Sequence, residues 1–228
     1  MRLLSLLMFF TISCQHSNST TKNNFDDDWQ DLVATGTLDL EPNGENESLE
    51  GVWDFDEEQG LLVTIANDDE KKIFDLKTKE LYLDFIIEFE FALSDGGNSG
   101  IKYYVDNSLP AVGLEYQIID SKHKDSKLPR RKTASLYDLF PAKGAELKPI
   151  GEFNKAKIIA NAGNIQHWLN GELVLEANID GDDFSKAKKR SKFEELDGFA
   201  YSRPSIVVLQ HHGEVVSFRN VRIRHLID

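Results

Sequence analysis

Between Gly113 and Asp120 the chain reads GLEYQIID, placing a carboxylate (Glu115), an amide (Gln117) and a second carboxylate (Asp120) on one short stretch. A carboxylate can exchange protons and an amide can hydrogen-bond hydroxyls, a combination suited to acid–base work on a polyhydroxylated substrate. Other polar groups recur in similar short segments: NSG at Asn98–Gly100, Tyr103 just beyond it, HWLNG at His167–Gly171, LQHHG at Leu209–Gly213 and FRN at Phe218–Asn220. Screening for other chemistry returns nothing. The chain has no GxSxG elbow, no phosphate-binding glycine loop, and no CxxC or HExxH metal pair.

The elements that must carry these groups read as strands. Leu114, Tyr116 and Ile118 alternate with Glu115, Gln117 and Ile119, so the acid and the amide share a face with one apolar residue. Glu115 reads as lining a cleft, since the run is too apolar for an exposed strand. Asp120 joins that face only if a bulge intervenes. Within Leu81–Leu93, Ile87, Phe89 and Phe91 alternate with Glu88 and Glu90. Ile101–Val105 alternates again, and turns at Asn161–Asn164 and Asn170-Gly171 mark hairpins. Near the C-terminus Gln210 and His212 point one way and His211 the other. In the last strand Arg219 shares a side with Val221 and Ile223, where it either pairs with a carboxylate or lines a cleft, while Arg222 and Arg224 lie opposite as surface residues. His167 in isolation reads as a satisfied core histidine, and His123 as a solvated loop residue. Ser121–Lys132 reads as loop, Asp180–Asp197 as a helical or irregular insertion, and the charged run Lys186–Lys192 as a solvated face. Many short strands with almost no amphipathic helix predict an all-β sandwich in a single domain, with Trp29 and Trp53 in the core.

The 228 residues hold 26 basic and 39 acidic side chains, a net charge of −13, which removes any general attraction to nucleic acid or to an anionic membrane surface. Neutral sugars are indifferent to that charge. Residues 1–13 read as a signal peptide, with Arg2 before the apolar run Leu3–Ile12, too short to span a bilayer. Thr11-Ile12-Ser13-Cys14 resembles the cleavage box of bacterial lipoproteins, with Thr11 where leucine is usual. Cys14, the sole cysteine, is the expected lipid attachment site, and residues 14–24 form a polar tether. The folded domain is expected over residues 25–228. The membrane is then contacted only through the anchor, at the periplasmic side or the cell surface.

One partial pattern is the spacing Glu115-x-Gln117-x-x-Asp120, which resembles the E-x-D-x-x-E signature of laminarinase-like glycosidases. Here the middle acid is an amide, and a retaining pair needs carboxylates about 5–5.5 Å apart. A fuller match comes from the ordered set of motifs. Thr64, Asp84-Phe85, Gly97–Ile101, Gly113–Asp120, Leu136-Tyr137, Lys148-Pro149-x-Gly151-Glu152-x-Asn154, His167–Gly171, Ser191-Lys192-Phe193, Leu209-Gln210-x-His212-Gly213 and Phe218–Val221 together resemble the 3-keto-disaccharide hydrolase family (the DUF1080 domain). The resemblance covers roughly Trp53 to Leu226. Phe153 stands where the family usually has Trp, and His211 where an Asp usually precedes His-Gly.

That resemblance implies a concanavalin-like jelly-roll β-sandwich acting on a small carbohydrate, a glycoside oxidised at sugar carbon 3. The ketone acidifies the C2 hydrogen, so a base can form an enolate that expels the aglycone from C1, after which water adds to the enone. On this reading Glu115 or His212 is the base, and Arg219 or a divalent metal ion stabilises the enolate oxygen. Asn98, Tyr103, Gln117, His167 and Gln210 would contact sugar hydroxyls, with Asp120 in support. No cofactor is certain, and no residue is assigned to the metal. The other readings are a non-catalytic carbohydrate-binding lipoprotein and a conventional two-carboxylate retaining glycosidase.

Overall fold

The computed structural model describes residues 28–44, 48–69, 72–105 and 112–226. The expected signal peptide, Cys14 and the tether lie outside the described residues. Among the described residues no helix is long and apolar enough to cross a membrane.

Two antiparallel sheets face each other, as the alternating patterns require. The larger one runs β12 (Glu172–Asn178), β11 (Asn164–Leu169), β10 (Asn154–Asn161), β7 (Phe85–Leu93), β14 (Val216–His225), β1 (Gln30–Ala34) and β2 (Thr37–Leu38). β5 (Leu61–Thr64) also pairs with β14, and β4 (Trp53–Asp56) pairs with β5. The smaller sheet runs β3 (Glu41–Pro42), β6 (Leu76–Lys77), β13 (Val208–Leu209), β8 (Asn98–Tyr103) and β9 (Leu114–Ile119). This is the jelly-roll sandwich expected, and among the described residues one short α-helix, α1 (Asp182–Lys188), lies inside the predicted insertion.

Strand β7 shows why the sheets pack. Phe85, Ile87, Phe89 and Phe91 point inward and are buried, while Glu88 and Glu90 point outward. Across the sandwich Phe89 meets Tyr116 edge-on at 5.4 Å between centroids, and Phe85 meets Tyr103 likewise at 5.9 Å. Trp53 is buried as expected and donates its indole N–H to the Phe74 carbonyl at 2.8 Å. Trp29 instead lies under the guanidinium groups of Arg222 and Arg224.

Strand β14 breaks the alternation assumed from sequence. Its register with β7 shifts between Arg219 and Arg222, and Asn220 at the break adopts φ +49°. A bulge of this kind inserts a residue and reverses the facing of everything beyond it. Val221 and Ile223 therefore point into the core with Phe218, while Arg219, Arg222 and Arg224 all lie on the outer side.

The second free edge of the smaller sheet is covered by its own chain. Residues 133–137 lie along β9, with Ala134 N–H donating to Gln117 O at 2.8 Å and Tyr137 N–H to Glu115 O at 3.0 Å. An exposed edge strand is a template for unwanted pairing, and this segment removes it. It also explains why every residue of β9 is buried, including the outward-facing acid and amide.

Candidate active site

The face of β9 turned away from the core forms the floor of a cleft of about 300 Å³. Glu115 and Gln117 come from β9, Asn98 and Lys102 from β8, and Gln210 and His212 from the segment after β13. Strand register brings them together: Lys102 lies directly opposite Glu115, and Gly100 opposite Gln117. The Gln210 N–H donates to Gly100 O at 2.9 Å, which continues the ladder one strand further. A Cβ on Gly100 would lie 2.6 Å from the Gln210 amide and 3.1 Å from Glu115, so a side chain there would push these two polar groups aside.

Gln210 connects the cleft groups. Its neighbours fix the amide orientation, since Lys102 and His212 offer donors and Glu115 an acceptor. The amide nitrogen then donates to Glu115 Oε1 at 3.3 Å, while its oxygen accepts from Lys102 Nζ at 2.6 Å and from His212 Nε2 at 3.1 Å. His212 is thereby held with its proton on Nε2. Beside this set, Gln117 donates to Asn98 Oδ1 at 2.9 Å, and its own carbonyl oxygen is buried without a partner. An unsatisfied buried acceptor costs about 1–3 kcal/mol, so this oxygen is a strained point beside the cleft floor.

The electrostatics separate two possible bases. Burial raises the Glu115 carboxyl to about 7; Lys102 and Lys192 pull it down and Asp75 pushes it up. Such a group can take and return a proton near neutral pH. The His212 imidazole is driven down to about 4, by loss of water around the ring and then by Lys102 and Lys192. The residue as a whole stays exposed at the cleft mouth while its Nε2 end is turned inward. A neutral imidazole of low basicity that already donates to Gln210 is the weaker base of the two.

A roof of Tyr137, Lys192 and Phe193 completes the lining of the cleft, with Tyr137 entering from the segment that runs along β9. The Lys192 ammonium sits 4.4 Å from the centre of the Tyr137 ring. Asp138 ties the roof together, accepting from Arg130 Nε at 3.1 Å, from Arg131 Nε at 2.7 Å and from the Lys192 N–H at 2.8 Å. Burial opposes the Asp138 charge, but these donors overcome it and hold the carboxyl below the usual range. His123, expected to be solvated, is nearly buried. Its Nδ1 accepts from Asp125 N–H, and its Nε2 lies 3.3 Å from Glu214 Oε1.

Four of the expected site residues lie elsewhere. Arg219 is outside the cleft because the β14 bulge turns it outward, where it pairs with Glu90 at 2.8 Å and covers the Phe153 ring. Tyr103 and His167 point between the sheets and are fully buried. Asp120 leaves the cleft at the end of β9, where it accepts the N–H groups of Gly96 and Lys122 and anchors the turn. Expected residues that do line the cleft are Glu115, His212, Asn98, Gln117 and Gln210.

Lys102, Tyr137 and Lys192 were missed. The signal for Lys102 was available, since it shares a strand parity with Asn98 two pairs back. Lys192 was hidden within a charged run, and only the roof geometry distinguishes it from its solvated neighbours. His211, the departure from the family pattern, is buried with Nε2 facing the carbonyls of Val52 and Ile65 and Nδ1 accepting from Gly213 N–H. It is a neutral structural residue, lowered by burial.

The cleft does not fit a divalent cation. Among the described residues no group of three or more His, Cys, Asp and Glu side chains converges on a common point. Two ammonium groups beside the buried carboxylate also oppose a further positive charge. A larger hollow of about 580 Å³ lies on the outer face of the larger sheet. Within it Arg222 pairs with Glu88, and the Lys157 ammonium lies over the Trp168 ring.

Comparison with known proteins gives a consistent picture. Residues 23–224 match the family described as the 3-keto-alpha-glucoside-1,2-lyase-like domain. A stretch of 179 residues, 67% of the chain, is 34% identical to a 3-keto-disaccharide hydrolase of Bacteroides thetaiotaomicron, and the match spans 62% of that protein's length. The crystal structure of a candidate glycosyl hydrolase from Parabacteroides distasonis superposes with a TM-score of 0.76 at 26% identity, covering 92% of this chain and 99% of that one. The carbohydrate binding module CBM66 of Bacillus subtilis shares the fold with a TM-score of 0.50 at 13% identity, over 84% of this chain and 96% of the module.

Proposed function

The chain belongs to the 3-keto-alpha-glucoside-1,2-lyase-like domain family, and on that premise we propose that it is an enzyme cleaving the glycosidic bond of glycosides oxidised at sugar carbon 3. The observation that carries this reading is Glu115, a single buried carboxylate raised to about 7 and flanked by two lysines. Ordinary glycoside hydrolysis calls for two cooperating carboxylates, and Asp120 faces away from Glu115. Elimination beside a ketone calls for one base and a cationic site for the developing oxyanion.

In the proposed sequence Glu115 takes the C2 proton. The electrons move onto the C3 oxygen, where Lys102 and Lys192 take the place expected of Arg219. The enolate re-forms its carbonyl, the C2–C1 double bond forms, and the C1–O bond to the aglycone breaks. The proton held on Glu115 goes to the departing oxygen. Water then adds across the enone, its hydroxyl to C1 and a proton to C2, completing a net hydrolysis. Gln117 Oε1 and Asn98 hold sugar hydroxyls, and Gln210 fixes Glu115 and His212 relative to each other. Cys14 carries the lipid anchor in this proposal, at the periplasmic side or the surface, and palmitate labelling that persists in Cys14→Ala would refute it.

The decisive assay compares a chromogenic glucoside with its 3-keto derivative. Release from the keto substrate alone is expected, with Glu115→Gln lowering turnover about 100-fold or more. Release from both substrates would point to a conventional glycosidase. Binding without release would point to a capture protein.

A further inference from the structure

Lys102 and Glu115 occupy directly opposed positions on β8 and β9, where oppositely charged side chains ordinarily pair. Here they do not. No ion pair joins them within 4.0 Å, and the Lys102 ammonium is instead 3.9 Å from Asp75 Oδ2, with its side chain only 12% exposed. Asp75 immediately precedes β6, beyond β13 and on the far side of Lys102 from Glu115. It is fixed in place by the His211 N–H, which donates to Oδ1 at 2.9 Å, and the His211 ring is itself locked against two carbonyls.

We propose that Asp75 is a positioning residue for the base: by drawing the Lys102 ammonium toward itself, it leaves Glu115 free of an ion pair and available as a proton acceptor. An ion-paired carboxylate is a weaker base, because the cation favours its charged form. Lys102 therefore has to be near enough to stabilise an oxyanion and far enough to leave Glu115 basic. The Gln210 oxygen helps, accepting from Lys102 at 2.6 Å while the other end of the amide holds Glu115. The charged and titratable groups around Glu115 are Lys102 from β8, Lys192 and Tyr137 from the roof, Asp75 from before β6, and Asp125 and His212 at the rim. Lys102 and Asp75 act on the Glu115 carboxyl with opposite signs, the first lowering it and the second raising it.

The inference rests on Glu115 as the base of the proposed reaction, but its test needs no substrate. In the full chain carrying carboxyl-labelled glutamate, the Glu115 resonance is identified by its loss in Glu115→Gln and titrated by NMR. Asp75→Asn keeps the oxygen that accepts the His211 N–H, so the fold is preserved. The expected result is a Glu115 midpoint about one pH unit lower or more. Lys102→Met should move the midpoint upward, and Asp75→Asn added to Lys102→Met should move it less than it does alone. An unchanged or higher midpoint in Asp75→Asn overturns the proposal, as does an equal shift with and without Lys102. With the 3-keto substrate, the acidic limb of the kcat/KM profile should follow the NMR midpoint. A midpoint shift without turnover of that substrate would overturn the proposed activity and leave the action of Asp75 on Glu115 standing.

Discussion

The Tyr103 hydroxyl meets His167 Nε2 at 2.8 Å between the two sheets. His167 Nδ1 lies 2.9 Å from the Ala134 carbonyl, which makes Nδ1 the protonated nitrogen and Nε2 the acceptor from Tyr103. One imidazole thus joins β11 of the larger sheet, β8 of the smaller and the segment that covers β9. Both residues were candidates for sugar contacts, and they turn to each other instead.

Replacing His167 by Ala removes buried contacts and orphans two polar groups. A loss of about 2–4 kcal/mol is expected in urea denaturation. Burial lowers the His167 imidazole to about 4 from 6.5, with the Ala134 carbonyl opposing. The fold prefers the neutral ring, so its contribution is present above pH 6.5 and is lost as pH falls toward 4. The stability gap between wild type and His167→Ala should therefore narrow across that range.

Glu115 has the opposite sign. Its carboxyl is raised from 4.5 to about 7, so the fold favours the protonated form. Its contribution is present below pH 4.5 and is lost as pH rises through 7. Glu115→Gln should match wild type near pH 4 and be more stable by about 1–3 kcal/mol at pH 8.5, measured by urea midpoints at both values. A variant that gains stability while losing turnover is the signature of a base held in an unfavourable environment. Equal stability at pH 8.5 would show that Glu115 is better solvated than its position implies.

Arg219 offers a control. Its ion pair with Glu90 lies on the outer face, with 42% of the Arg219 side chain exposed. Arg219→Met should cost less than about 1 kcal/mol in thermal or urea melts. Turnover of the 3-keto substrate should be unchanged. A large loss of turnover would place Arg219 back in the reaction.

Strand parity was readable from residue order alone, because side chains alternate wherever the backbone stays extended. It correctly paired Glu115 with Gln117, separated Gln210 and His212 from His211, and sent Glu88 and Glu90 outward. Parity does not say what covers each face. Tyr103 and Lys102 are adjacent on β8, and only the packing of the sheets makes one core and the other cleft. Nor does parity survive a bulge, as the Asn220 break in β14 shows by moving Arg219 away from the side shared with Val221.

The chain's residue order by itself determined an all-β sandwich, the shared face of Glu115 and Gln117, and the motif set that marks the family. Only the tertiary structure decided that Lys102 and Lys192 act on Glu115 and that the Lys102 ammonium lies 3.9 Å from Asp75. The reason is physical. Alternation is a local property of one extended backbone, whereas the charge around a buried carboxylate is set by side chains from strands and loops that meet only once the sheets have closed.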